Sequence, residues 1–288
     1  MPREPLIYID GVYYPKSKAK ISVFDHGLLY GDGVFEGIRV YNGKIFLCDE
    51  HVNRLYDGAK FICLAIPMTK AEMKKALEET VRRNRLCDGY IRLVVTRGAG
   101  DLGLDPRKCP RPSVIIIAAT IRLYPDKLYR RGMAIVTVPT VAKYGETLNP
   151  RVKSLNYLPN ILAKIEAHNA GVEEAILLNH QGFVAECTGD NIFIVKGNRL
   201  ITPPPSSSLL CGCTRNFVMA LGREAGLEVI EENLQRYDLF TADECFLTGT
   251  AAELIPVVRI DGREIGNGKP GLWTRELLAR FRAHIAAL

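Results

Sequence analysis

The stretch Arg151-Val152-Lys153-Ser154-Leu155-Asn156-Tyr157-Leu158-Pro159-Asn160 sets a lysine immediately ahead of an amphipathic helix. That helix reads from Asn156 to Ala170, with Leu158, Ile161, Leu162 and Ile165 as its apolar stripe and Gly171 as its C-terminal cap. Upstream, Met133 to Val138 reads as a strand. Downstream, strands read over Glu174–Leu178, Phe183–Thr188, Ile192–Val195 and Arg199–Ile201, joined by the turns His180-Gln181-Gly182 and Lys196-Gly197-Asn198. A helix from about Arg215 to Ala225, strands around Glu228 and over Cys245–Leu247, and a last helix over Thr274–His284 complete the second half.

The first half has the same mixed character. Asp10-Gly11 joins two strand-like runs, Leu6–Ile9 and Val12–Tyr14, and Asn42-Gly43 joins Val34–Tyr41 to Lys44–Leu47; both are hairpin signals. A helix starts at Asp49, with Val52, Leu55, Ala59 and Ile62 on one face, and a second runs from Thr69 to about Arg85, where Thr69 and Glu72 fit a capping box. Tyr90–Arg97 and Ser113–Ile121 follow as strands. The chain of 288 residues is long enough for two domains at roughly 100–200 residues each. The expected class is α+β: a small α/β domain over 1–121, a linker over 122–132, where the text turns to Leu-Tyr-Pro-Asp-Lys, and a larger domain over 133–288 that carries Lys153.

Composition excludes several classes. Hydrophobic residues at 47% and charged residues at 24% are those of a globular domain, not of a disordered or fibrous chain. The formal charge of +6 is spread thinly: the densest basic groups are Arg82, Arg83, Arg85 and Arg130, Arg131, too dispersed for a nucleic-acid groove but compatible with a small anion. Eight cysteines without a CxxC pair read as reduced, buried thiols, and no metal-ligand spacing emerges. The first residues hold no apolar core of a secretory signal, and the longest apolar run, Val114–Ile121, is far short of the roughly 20 residues of a membrane span. A cytoplasmic protein without a membrane or nucleic-acid partner is expected.

Gly98-Ala99-Gly100-Asp101-Leu102-Gly103 imitates a dinucleotide fingerprint. That motif must open a helix whose amides hold the pyrophosphate. Pro106, Pro110 and Pro112 follow at once and preclude a helix of useful length, so the segment reads as a glycine-rich loop beside a site.

Four segments carry chemistry. Lys153 is, by itself, a residue type that usually sits solvated on a surface. Glu186 lies inside the apolar run Phe183–Thr188, where a carboxylate either faces outward or meets a cation. Leu210-Cys211-Gly212-Cys213-Thr214-Arg215 leads from a Pro/Ser loop into a helix, so that unpaired amides and a glycine form a cup for phosphate. Thr248-Gly249-Thr250-Ala251-Ala252-Glu253 is a small-residue turn able to present N–H groups to an anion. A lysine, a buried acid, a phosphate cup and a second anion turn together are what pyridoxal 5′-phosphate (PLP) requires.

These segments, in this order, resemble the fold-type IV PLP enzymes (the D-amino acid aminotransferase-like fold) and, among them, the branched-chain amino acid aminotransferases. Further matching stretches are Tyr30-Gly31-Asp32-Gly33-Val34-Phe35-Glu36-Gly37-Ile38-Arg39, Glu50-His51-Val52-Asn53-Arg54-Leu55, and Glu186 with Asn191. The resemblance implies that Lys153 bonds to PLP as a Schiff base and shuttles the proton, that Glu186 pairs with the pyridine nitrogen and that Tyr157 bonds the ring hydroxyl oxygen. It implies that Arg54, Gly212, Cys213, Thr214 and Thr250 hold the phosphate and that Leu210 packs on the ring. Thr250 and Ala251 would face the substrate carboxylate, and Phe35, Tyr30, Tyr90 and Arg92 would line the side-chain pocket. Tyr30 and the loop around Leu104 would come from a neighbouring subunit of a homodimer or larger homo-oligomer. The implied reaction moves the amino group of L-leucine, L-isoleucine or L-valine to 2-oxoglutarate, with amino acids and 2-oxo acids as the small-molecule partners. A D-amino acid or mixed-selectivity transaminase is the alternative, although Gly98–Asp105 lacks the pair of basic residues typical of the D-specific enzymes. Cys213 and Cys211 depart from the family pattern, at positions that act through backbone or packing.

Overall fold

A computed structural model describes residues 4–120, 124–145 and 148–288. By packing, the chain divides into two compact units: Met1–Ile121 with Val152–Asn156 and Leu288, and Arg122–Arg151 with Tyr157–Ala287. The segment bearing Lys153 thus packs with the first unit, whereas the sequence alone places it in the second domain. The reason is a short strand-like pairing: Phe35 N–H donates to the Lys153 carbonyl at 2.9 Å, Leu155 N–H to the Gly33 carbonyl at 3.0 Å, and Val34 bridges Ser154.

In the first unit, strands β1 (Leu6–Ile9), β2 (Val12–Pro15), β3 (Gly33–Tyr41), β4 (Lys44–Ile45), β5 (Gly89–Thr96) and β6 (Ser113–Ala119) form one sheet in the order β2-β1-β6-β5-β3-β4. The two hairpins expected from sequence form, and Asp10, Gly11, Asn42 and Gly43 all have the positive φ that such two-residue turns demand. Helices α1 (His26–Tyr30), α2 (Cys48–Phe61) and α3 (Lys70–Asn84) complete the unit. The Thr69–Glu72 capping box closes on α3 as expected. Helix α2 begins earlier than its expected Asp49 cap, because Leu47 turns into the left-handed region and leaves Asp49 and Glu50 in the first turn. One core joins the sheet residues Ile38, Val40, Ile91, Leu93, Val114 and Ile116 to Val52, Leu55, Met73 and Leu77 of the helices. After the glycine-rich loop there is only a single 3₁₀ turn, Pro106–Lys108.

The second unit holds α4 (Asp126–Arg131), β7 (Met133–Thr137), α5 (Leu158–Asn169), β8 (Glu174–Leu178), β9 (Val184–Cys187), β10 (Asn191–Lys196), β11 (Arg199–Thr202), α6 (Cys213–Glu224), β12 (Glu228–Glu231), α7 (Arg236–Phe240), β13 (Glu244–Gly249), β14 (Glu253–Ile260), β15 (Arg263–Glu264) and α8 (Leu272–Ala286). Its mixed sheet runs β12-β11-β10-β13-β14-β7-β8-β9, with β15 on β14. Of the linker expected over 122–132, residues 122 and 123 lie outside the described residues, and Asp126–Arg131 forms α4. Strand β14, unexpected because Pro256 interrupts its run, sits in the middle of the sheet.

Helix α5 corrects a packing expectation. Leu158, Ile161, Leu162 and Ile165 are exposed, and the buried face is Asn160, Ala163 and Ala167. Alanines let the helix lie close against Ala175, Leu177 and Ala185 of the sheet, which the larger side chains would prevent. Among the described residues no helix is long and apolar enough to cross a membrane. All eight cysteines are free thiols, but only Cys109, Cys187, Cys213 and Cys245 are buried as expected; Cys48 and Cys211 are half-buried, and Cys63 and Cys87 are exposed.

Candidate active site

In the first unit the pleat separates two sets of side chains. Register pairs Gly37 with Arg92 and Arg39 with Tyr90, so Phe35, Gly37 and Arg39 share a sheet face with Tyr90 and Arg92. Arg92 Cζ lies 4.6 Å from the centre of the Phe35 ring and 5.6 Å from that of Tyr90. Lys153 Nζ lies 4.8 Å from the same Phe35 centre. One aromatic ring therefore holds both cations, as its negative face favours. A Cβ on Gly37 would fall 1.7 Å from the Tyr90 hydroxyl, so only glycine admits Tyr90 in this place.

Glu36 points to the opposite face, where it is fully buried. It accepts from Arg54 Nε and Nη2 and from His51 Nδ1, each at 2.7 Å. Burial alone would raise its pKa. The Arg54 charge and the His51 and Arg54 hydrogen bonds overcome that and hold it at about 2. This fork fixes the orientation of the Arg54 guanidinium. Tyr30 donates to the Leu102 carbonyl at 2.6 Å, and Leu104 is 79% exposed at the tip of the glycine-rich loop.

In the second unit Glu186 is half-buried on β9, and its Oε2 accepts the Leu210 N–H at 3.0 Å. Asn191 Nδ2 donates to the Leu210 carbonyl at 2.9 Å, so Glu186 and Asn191 fix that residue through its N–H and its carbonyl. Helix α6 starts at Cys213, two residues before the expected Arg215, with Gly212 as its N-cap. No side chain caps it and its first turn holds no acid, so this helix start offers backbone amides of the kind that can take an anion. A Cβ on Gly212 would lie 2.2 Å from Asn191 Oδ1. Arg215 is buried and bonds the Pro203 carbonyl at 2.8 Å and Glu231 at 2.5 Å, which ties the Pro/Ser loop to the helix. Tyr157 precedes α5, with Lys143 Nζ 4.3 Å from the centre of its ring. Thr250 and Ala251 form the turn between β13 and β14, and the preceding Gly249 is so close to Asp190 that a Cβ would lie 1.9 Å from its Oδ1.

Most of the expected residues fall in two sets, Lys153, Phe35, Tyr90 and Arg92 with Arg54 on the reverse of the strand, and Glu186, Leu210, Gly212, Cys213 and Thr214. Tyr30 bonds the glycine-rich loop that carries Leu104, and Tyr157, Thr250 and Ala251 are not joined to either set by the contacts described. Asn191 and Arg39 both lie in the matching stretches without an assigned role; the pleat puts Arg39 on the face of Phe35, opposite Tyr90. The observations fit a phosphorylated pyridine cofactor. A glycine-shaped cradle sits at an uncapped helix start, and the buried Thr248 hydroxyl, at register with Asn191, has no hydrogen-bond partner among the described residues. Among those residues no cluster of three metal-ligating side chains occurs.

The sequence profile described as amino-transferase class IV matches residues 33–260. A Methanocaldococcus jannaschii relative, provisionally named a branched-chain-amino-acid aminotransferase, is 55% identical over 96% of this chain and 95% of its own. The D-alanine aminotransferase of Bacillus licheniformis is 36% identical over 94% of both chains. Among solved structures, the T.th. branched-chain amino acid aminotransferase with pyridoxamine 5′-phosphate superposes with a TM-score of 0.94 at 36% identity, covering 99% of this chain and 95% of that one. The same enzyme complexed with N-(5′-phosphopyridoxyl)-L-glutamate gives 0.93 at 35% identity, with the same coverage.

Proposed function

The chain belongs to the class IV aminotransferases and is a PLP-dependent aminotransferase, and we propose that it transfers the amino group of L-leucine, L-isoleucine or L-valine to 2-oxoglutarate. One observation carries this reading: the Phe35 ring holds Lys153 and Arg92 together. A reactive amine thereby adjoins a wall that is aromatic, for aliphatic side chains, and cationic, for the second carboxylate of glutamate. The glutamate adduct bound by the T.th. relative supports the acceptor.

PLP, when bound, supplies an electron sink for the charge left at the substrate Cα. Lys153 anchors the cofactor through its amine and carries the Cα proton on Nζ. Glu186, held by the Leu210 N–H, keeps the pyridine nitrogen protonated. Arg54, Gly212, the Cys213 and Thr214 amides and Thr250 hold the phosphate. Tyr157 would bond the ring hydroxyl oxygen and Leu210 would pack on the ring. Thr250 and Ala251 receive the substrate carboxylate, and Tyr30, Phe35, Tyr90, Arg92 and Leu104 surround its side chain. Arg92 bears the cost of this arrangement: with an aliphatic substrate its guanidinium relies on the two aromatic faces in place of a carboxylate.

The active form is a homodimer or larger. The exposed row Leu158, Ile161, Leu162 and Ile165 on α5 supplies a surface for self-association. A second reading, D-amino acid transfer, is favoured by the relation to the Bacillus licheniformis enzyme. An assay of oxo-acid formation with 2-oxoglutarate separates the two: L-leucine is consumed and D-alanine is not. Consumption of D-alanine alone would replace the proposal with the second reading.

A further inference from the structure

We propose that His26 is a positioning residue that sets side-chain selectivity by holding Tyr30 and the Leu102–Leu104 loop tip as one unit. The inference rests on the reading above that Tyr30 and Leu104 serve the substrate side chain. His26 opens α1 and is buried. Its backbone N–H donates to the Gly98 carbonyl at 2.9 Å, and its ring Nε2 lies 2.8 Å from the Asp101 carbonyl, which makes Nε2 the protonated donor. Its ring meets Tyr30 edge to face at 5.0 Å, and the Tyr30 hydroxyl completes the circuit by donating to the Leu102 carbonyl. A Cβ on Gly100 would come 3.0 Å from His26 Nε2 and 2.6 Å from Cys109 Sγ, so the loop backbone rests on the imidazole as closely as glycine allows.

A buried histidine most often satisfies its ring within the core. This one spends its ring donor on a loop whose side chains at 102 and 104 are 68% and 79% exposed. No core is filled by fixing those leucines, so the bond serves their position. The turn beneath is rigid for its own reasons: Asp25 accepts from the Gly27 N–H at 2.7 Å and from the Thr96 hydroxyl at 2.8 Å. Position is thereby passed from the sheet through Asp25 and α1 to His26, and from His26 to both Tyr30 and the loop.

The test uses the holoenzyme and three variants. His26→Phe keeps the ring contact and removes the donor, His26→Gln restores a donor, and Tyr30→Phe removes only the Leu102 bond. In His26→Phe, kcat/KM for L-leucine should fall roughly 3- to 10-fold, the worth of one net hydrogen bond, with L-alanine changed less than about twofold and the resting absorbance spectrum unchanged. Trypsin cleavage after Arg107 or Lys108 should quicken by a similar factor, and His26→Gln should recover most of both effects. Tyr30→Phe should shift both readouts the same way, and the double variant should lose less than the product of the singles. Equal losses for both substrates, or unchanged cleavage, would overturn the proposal. If His26→Phe does not fold, Tyr30→Phe decides by the same two readouts. If the wild type turns over no L-leucine, the proposed function fails, and the cleavage arm alone decides whether His26 holds the loop.

Discussion

Replacing Glu36 with glutamine tests the buried charge behind the proposed phosphate arginine. Glu36 stands at about 2 against an ordinary value of 4.5, because the opposing Arg54 charge and the His51 and Arg54 hydrogen bonds outweigh its burial. At about 1.4 kcal/mol per pKa unit, that difference corresponds to about 3 kcal/mol of stability at neutral pH. The sign follows from the lowered folded value. The contribution is whole above about pH 4.5, falls as the carboxylate protonates, is more than half lost by about pH 3, and is gone below about pH 2. Glu36→Gln keeps shape and removes charge, so urea unfolding at pH 7 should show a loss of about 3 kcal/mol that shrinks steadily on acidification. An Arg54 without its partner should also retain PLP less well. A stability gap that is the same at pH 7 and pH 3, or below about 0.5 kcal/mol at pH 7, would refute the assignment of the energy to this charge pair.

Other perturbations reach other parts of the account. Arg92→Leu should raise KM for L-glutamate about 10- to 100-fold, the worth of a charge-assisted bond, and leave KM for L-leucine within about threefold in steady-state kinetics. Gly212→Ala places a methyl against Asn191 Oδ1 and should weaken PLP retention on dialysis about 10-fold or more, whereas retention equal to wild type would deny the cup. Ile161→Glu with Ile165→Glu should shift light-scattering mass toward a smaller species, while subunit stability changes by less than about 0.5 kcal/mol because both positions are exposed.

Much of the fold is legible in the sequence because local rules and tertiary packing agree. Asp10-Gly11, Asn42-Gly43 and the Thr69–Glu72 box each determine their own backbone, and each appears where expected. The failures have specific causes. The stripe on α5 has the period of a core face, yet periodicity cannot distinguish a face buried in the monomer from one that stays exposed, and here alanines take the interior. Strand β14 is hidden by Pro256, a residue that ordinarily marks an edge. Lys153 packs with the first unit because residues 153–155 follow β3 by backbone bonds that carry no side-chain signal. The candidate site is legible as residue types in order. The shared Phe35 ring and the support of Leu210 by Asn191 are not, since each joins residues far apart in the chain. Arg54 with Glu36 is an intermediate case: the two belong to quoted motifs, but their pairing depends on β3 turning Glu36 toward α2.

In the proposed site every other residue acts around the Lys153 amine. The absorbance spectrum of the purified holoenzyme, before and after L-leucine, tests that role most directly when set beside that of Lys153→Ala. The wild type should show a bound-cofactor band that L-leucine converts, and the variant should lack that band and lose at least about 10²- to 10⁴-fold in turnover. A Lys153→Ala protein with the wild-type spectrum and rate would remove Lys153 from this role.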